Sequence, residues 1–443
     1  MIFTTDPIWL RKGNHMKLIA RFLLLSLLFC GGPALAATSS YDFPFTDPTL
    51  ATILGTPDNQ RVALIEDIPV KLLDLTIFPE RKVPDIFWYN EKLRCALAYQ
   101  KGKAPLIFVI AGTGAGFNSD KMLVLQSTFY RAGFHVVSIS SPTHANFITA
   151  ASESAVPGIL KADARDLYRV MQQVREKVKG DIEVSDYYLT GYSLGGTQAA
   201  FVSMLDEEQK AFNFKKVLMI NPSVSLYSSV NLLDHMLEDN VPGGVEKTGA
   251  FLRERLNKMA EIYKAGDFVK FDNEFLYNLY RGMPAPPKDA NLAALIGLSF
   301  RLSSNNMIFA SDVMTDAGYV VPKGMKLDHN DPLDDYFRTL TRISFAQYLD
   351  ELLLPAAQRR DPQLTRQALI DGDSLKAIET YLQRADKVGV MTNRDDIILA
   401  AGELDYLRQL FGARATIFPN GGHCGNLDHR EVAATMTTYF TRP

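Results

Sequence analysis

The chain has 443 residues, of which 47 are Lys or Arg and 50 are Asp or Glu, for a net charge of −3, and 47% are hydrophobic. So much apolar side chain with so little net charge excludes disorder, and 29 Gly with 22 Pro exclude a collagen-like or linker chain. The nearly balanced charge gives no electrostatic reason to bind phosphates, so no nucleic-acid partner is expected.

After Met16, Lys17 and Arg21 supply a positive segment, Phe22 to Phe29 an apolar run, and Ala34-Leu35-Ala36 the small-x-small pattern that signal peptidase accepts. This predicts a signal peptide with an upstream extension over residues 1–36, cleavage after Ala36, and export to the periplasm or as a secreted protein. The apolar run is shorter than the roughly 20 residues that span a bilayer, so no stable membrane span is expected once the leader is removed. Cys30 leaves with the leader. The remaining Cys95 and Cys424 do not make a disulfide framework, so burial has to hold the fold, and whether they pair is left open. Without CxxC or His-Cys spacing suited to zinc, no metal is expected, and no cofactor is implied.

From Pro105 the pattern alternates. Leu106 to Ile110 is a continuous apolar run of the kind a buried parallel strand shows, and it ends in Ala111-Gly112-Thr113-Gly114-Ala115-Gly116. A helix is predicted from Lys121 to Ala132, a strand from His135 to Ile139, a helix from Ile159 to Val178, a strand over Tyr187 to Thr190, a helix from Leu194 to Met204 and a strand over Val217 to Ile220. The alternation then stops. Helical spacing dominates through Phe251 to Ile262, Leu292 to Leu302, Tyr336 to Leu354 and Leu364 to Leu382, before a strand at Val388 to Met391, a helix from Glu403 to Phe411, a strand at Ala415 to Phe418 and a last helix from Arg430 to Phe440. Strands alternating with helices imply right-handed crossovers and a parallel sheet covered on both faces. The reading is one α/β core over 37–227 and 388–443, interrupted by a helical insertion over 228–387.

Gly191-Tyr192-Ser193-Leu194-Gly195-Gly196 lies between an apolar strand and a helix of small residues, where a nucleophile elbow belongs. The tight turn brings backbones together and strains the serine, lifting its Oγ clear of the sheet and aiming the Leu194 N–H, at the helix start, toward developing negative charge. Gly112-Thr113-Gly114-Ala115-Gly116 also invites a dinucleotide reading, but Phe117 occupies the third glycine position and the next strand ends without an acidic residue.

At these residues the chain resembles the α/β-hydrolase superfamily, over about Pro105 to Val224 and Val388 to Phe440. The resemblance implies a mostly parallel sheet flanked by helices, with the insertion serving as a helical cap domain over the pocket. It implies a second oxyanion donor from the loop usually written His-Gly-x-Gly. Here that loop reads Ala111-Gly112-Thr113-Gly114, so the histidine is absent but the Thr113 N–H remains. The family's chain order, nucleophile then acid then histidine, selects His423 in Pro419-Asn420-Gly421-Gly422-His423, just after the final strand. The acid follows the strand at Val388: counting from the strand end gives Asp396, and a slip of one gives Asp395.

The function so implied is an exported serine hydrolase that cleaves a carboxylic ester or thioester through an acyl-enzyme on Ser193, with short or medium acyl chains expected. An acyltransferase or peptidase using the same triad, or a non-catalytic binding protein of the same fold, are the alternatives. The expected partner is a small-molecule ester or acyl substrate, and the oligomeric state is left open.

Overall fold

An eight-stranded sheet in the order β1-β2-β4-β3-β5-β6-β7-β8 forms the centre of the protein. The computed structural model describes residues 41–241, 243–247, 249–251, 275–282 and 291–442. The predicted leader over 1–36, and all but the first residue of the helix predicted from Phe251, lie outside the described residues. Strands β1 (Val70–Leu75) and β2 (Leu93–Ala98) pair antiparallel with each other, and β2 pairs antiparallel with β4 (His135–Ile139). The rest, β3 (Ala104–Ile110), β5 (Val184–Tyr192), β6 (Val217–Ile220), β7 (Val388–Asn393) and β8 (Ala415–Phe418), run parallel to their neighbours. Every residue of β4, β6 and β7 is buried, which explains why their sequences show no regular polar alternation: a strand covered on both faces has no solvent side to carry it.

The helices, in chain order, are α1 (Pro48–Leu54), α2 (Asp120–Arg131), α3 (Ala145–Ala150), α4 (Leu160–Val178), α5 (Leu194–Gln209), α6 (Leu226–Glu238), α7 (Phe275–Arg281), α8 (Leu292–Thr315), α9 (Asp334–Leu340), α10 (Phe345–Tyr348), α11 (Leu354–Gln358), α12 (Arg366–Gly372), α13 (Glu379–Arg384), α14 (Glu403–Phe411) and α15 (Arg430–Thr441). The strands and helices expected for the α/β part from Leu106 onward are present within about five residues of their predicted ends, whereas β1, β2, α1 and α3 were not expected. Between β6 and β7 the described chain forms helices, turns and one isolated bridge, Ser225 to Ser374, with no strand, and belongs with the sheet to one compact unit that begins at Phe43.

Within that stretch the helices depart from the periodicity. The segment expected as one helix over Tyr336 to Leu354 stops at Leu340 and restarts at Phe345, where Ser344 caps the new start: its Oγ accepts the Gln347 N–H while the Gln347 side chain accepts the Ser344 N–H. The segment over Leu364 to Leu382 breaks at Asp373, whose carboxylate accepts the Leu160 N–H at 2.7 Å and whose backbone carbonyl accepts the Leu226 N–H at 3.0 Å. Conversely, α8 continues beyond Leu302 to Thr315. The Ser303 and Ser304 hydroxyls that follow bond back to the carbonyls of Ser299 and Phe300, so buried polar residues there are satisfied without leaving the helix.

Among the described residues no helix is long and apolar enough to cross a membrane. Cys95, in β2, and Cys424 are both buried free thiols.

Candidate active site

Parallel strands put their carboxyl ends on one sheet edge, and four of them supply the site. Ser193 follows β5, the loop Ala111–Gly116 follows β3 beside it, Asp396 follows β7 and His423 follows β8. The serine sits at φ 55°, ψ −128°, outside the regions open to ordinary residues. Holding it there costs about 1–3 kcal/mol, which surrounding contacts must offset. The neighbouring backbone explains why the residues two positions before and after the serine are glycines. A Cβ at Gly191 would overlap the Gly195 carbonyl, and one at Gly195 would overlap the carbonyls of Ile110 and Ala111. The Ser193 N–H donates to the Ile220 carbonyl at 2.9 Å, tying the bend to β6.

Ser193, His423 and Asp396 are brought together. Oγ of Ser193 lies 2.9 Å from Nε2 of His423, and Nδ1 of His423 lies 2.9 Å from Oδ1 of Asp396. Ionised, a carboxylate only accepts, so Nδ1 carries the proton and Nε2 is left to accept from the serine hydroxyl. The carboxylate is itself held: Oδ2 accepts from Asn221 Nδ2 at 2.7 Å, and Oδ1 also accepts the Ile398 N–H at 3.2 Å. Asp395 goes elsewhere. Its two oxygens accept the N–H groups of Gly421 and Gly422 at 3.2 and 3.0 Å, so it braces the turn that carries His423 rather than the imidazole. Burial raises the pKa of Asp395 against the pull of those two amides.

Thr52, Asn393 and Asn426 fix the histidine loop, and sequence assigned none of them that role. The His423 N–H donates to Thr52 Oγ1 at 2.9 Å, so α1 anchors the loop across 371 positions. Asn393 donates to the Gly422 carbonyl at 2.8 Å and exchanges bonds with Asn426 at 2.9 and 2.7 Å. Cys424 Sγ lies 4.0 Å from His423 Nε2. Burial of the imidazole disfavours its charged form. The sulfur of Cys424 and the Asp396 carboxylate outweigh that effect and raise the His423 pKa above its ordinary value.

The loop after β3 presses against the bend. A Cβ at Gly112 would stand 2.7 Å from the Tyr192 ring and 3.1 Å from Ser193 Cβ. Gly114 donates its N–H to Thr143 Oγ1 at 2.7 Å, and Ala115 donates to the Gly112 carbonyl at 3.0 Å. Thr113 lines the cavity with Ser193, and Leu194 is the first residue of α5, where the leading N–H groups have no partner within the helix.

Ser193, His423, Gly112 and Thr113 face a cavity of about 90 Å³ whose other walls include Leu233 of α6 together with Ile296 and Phe300 of α8. His144 is not in its wall. That imidazole caps α3, accepting the Asn146 N–H at 3.2 Å, and burial pushes its pKa down to about 4, so it stays neutral. His429 likewise caps α15. Among the described residues the one grouping of three metal-donor side chains is Asp85, Asp328 and His329, all exposed and none in the wall of the Ser193 cavity.

The sheet order, the serine on its strained bend and the histidine after the last strand make this an α/β-hydrolase fold, as the resemblance implied. No protein-family model matches the chain, and no curated protein matches it in sequence. Among solved structures it is similar to a thermostable esterase from Pseudomonas putida, with 14% identity and a TM-score of 0.39 over 86% of this chain and 84% of that one. It is similar also to carboxyl esterase 2 from the fungus Tuber melanosporum, with 13% identity and a TM-score of 0.39 over 84% of each chain. A membrane phospholipase A described as a bacterial virulence factor gives 15% identity and a TM-score of 0.38 over 96% of this chain and 98% of that one. Identities this low say nothing about substrate.

Proposed function

We propose that this protein is a serine hydrolase that cleaves a carboxylic ester or thioester through an acyl-enzyme on Ser193. The observation that carries the reading is the unbroken chain of hydrogen bonds from Ser193 Oγ through both ring nitrogens of His423 to Asp396, each 2.9 Å. In the first half-reaction Ser193 Oγ adds to the carbonyl carbon as its proton passes to His423 Nε2. The oxyanion accepts from the N–H groups of Thr113 and Leu194, each worth about 3–4 kcal/mol. Collapse breaks the bond to the alcohol or thiol, which departs with the proton from Nε2. Water then gives a proton to Nε2 and adds to the acyl carbon, and Ser193 leaves with that proton as the acid is released. Asp396 holds the imidazole in the productive tautomer and stabilises its charged form throughout.

The helical insertion takes the role of a cap, a reading supported by Leu233, Tyr277 and Phe300, which contribute to the cavity wall from three of its helices. The leader pattern over residues 1–36 supports export to the periplasm or beyond.

A fluorophosphonate probe tests the reading. The expected result is stoichiometric labelling of the purified protein, abolished in Ser193→Ala. A native-folded wild type that never labels would overturn it.

A further inference from the structure

The loop that follows β3 is bonded along its length to the segment that follows β4. Ser140, Ser141 and Thr143 are all buried there. The Phe117 N–H donates to Ser140 Oγ at 2.9 Å, the Ser141 N–H donates to the Ala115 carbonyl at 3.0 Å, and the Gly114 N–H donates to Thr143 Oγ1 at 2.7 Å. Thr143 Oγ1 also lies 2.8 Å from Ser141 Oγ, so a second hydroxyl fixes the one that accepts from Gly114. Buried hydroxyls are costly unless they are bonded, and here the backbone of the β3 loop supplies the bonds.

These bonds bear on Thr113, which lines the Ser193 cavity. The Gly112 carbonyl accepts the Ala115 N–H at 3.0 Å and Gly114 has a φ of 70°, so residues 112–115 form a turn with a glycine at its third place, where a positive φ is needed. A trans peptide is planar, with its C=O and N–H pointing opposite ways. The peptide that carries the Thr113 N–H is the one whose carbonyl bonds Ala115, so that N–H points away from the turn's own bond. The next peptide carries the Gly114 N–H that Thr143 holds. Both peptides that flank Thr113 are thereby fixed. The insertion closes on the same place: a Cβ at Gly114 would stand 2.8 Å from Ser303 Cβ of α8, which leaves the loop little room to move.

We propose that Thr143 is a positioning residue for the reaction: by holding the Gly114 N–H it sets the line along which the Thr113 N–H meets the oxyanion. The proposal rests on the hydrolase reading, which makes Thr113 an oxyanion donor. Losing one such donor costs about 10²–10³-fold in kcat at a comparable site, and a donor turned out of line loses part of that. The oxyanion exists only once Ser193 has added to the carbonyl, so loss of the Thr143 hydroxyl falls on kcat rather than on KM.

Thr143→Val keeps the bulk of the side chain and removes the hydroxyl, whereas Thr143→Ser keeps the hydroxyl. On p-nitrophenyl acetate the valine variant should lose about tenfold or more in kcat with KM within about twofold of wild type, and the serine variant should stay within about threefold of wild type in both. A trifluoromethyl ketone captures the same oxyanion: Ser193 Oγ adds to its carbonyl carbon, the serine proton passes to His423, and the carbonyl oxygen becomes the anion. Its affinity for Thr143→Val should fall by the factor lost in kcat/KM. Unchanged kcat in the folded valine variant, an equal loss in the serine variant, or an untouched ketone affinity would overturn the proposal. Thr143→Ala takes the same measurements if the valine variant does not fold. Deuterium exchange of the peptide spanning 111–117 reads the hold on the loop without turnover, so it stands apart from failure of the hydrolase reading, which the fluorophosphonate probe reports. Faster exchange in Thr143→Val than in wild type and Thr143→Ser supports the proposal, and equal exchange in all three refutes it.

Discussion

Adjacent carboxylates at 395 and 396 have unrelated partners: one holds two backbone amides, the other an imidazole. Their substitutions should separate accordingly. Asp396→Asn removes the acceptor that selects the Nδ1–H tautomer, and kcat should fall on the order of 10⁴-fold with binding of substrate little changed. Asp395→Asn loses charge-assisted bonds to the Gly421 and Gly422 amides, so it should act mainly on stability, by about 1–3 kcal/mol, with a smaller loss of kcat. Steady-state kinetics and denaturant melts on the two variants check this, and similar kcat losses would reverse the assignment of Asp396. The histidine makes a pH prediction. Only neutral His423 accepts the serine proton, and its raised pKa places the acid limb of kcat/KM above the range of an ordinary imidazole. Since the Cys424 sulfur contributes to that rise, Cys424→Ala should move the limb to lower pH, and an unmoved limb would remove the sulfur from the account.

At the scale of elements, much of the site was legible because parallel strands impose it. Ser193 after β5, Asp396 after β7 and His423 after β8 fall on one edge once the strands alternate with helices, and the order of these strands in the chain is their order in the sheet. The antiparallel edge was not legible. In β1 only Leu73 and Leu75 are buried, and Arg94 interrupts β2, so neither segment shows the continuous apolar run that marks the central strands. The breaks at Ser344 and Asp373 were hidden for a different reason: helical periodicity persists across both, and side-chain bonds decide where the backbone turns. The insertion is itself tied by a buried ion pair. Arg301 of α8, 1% exposed, donates to Asp234 of α6 at 2.6 and 3.1 Å, and the other oxygen of Asp234 accepts the Phe345 N–H at the start of α10. Arg301→Met should cost about 3–5 kcal/mol in denaturant unfolding, because it strands the buried Asp234 carboxylate. A loss below about 1 kcal/mol would show that the pair does not hold the helices.

Across the whole molecule, the site depends on contacts that no local pattern encodes. Thr52 near one end of the described chain fixes the backbone of His423 near the other, and Asn221 after β6 holds the acid that follows β7. Such pairs become visible only when the sheet has assembled, so the sequence offers Ser193, Asp396 and His423 as candidates and leaves the residues that support them unnamed. The cavity was equally hidden. It encloses about 90 Å³, and Leu233, Ile296 and Phe300, which belong to its wall, come from the helices between β6 and β7. The most direct measurement is rapid-quench mass spectrometry of the protein mixed with a short-chain activated ester. One acyl group on the peptide that contains Ser193, and none in Ser193→Ala, is the predicted result; ester turnover that survives Ser193→Ala with no acylated peptide would contradict it.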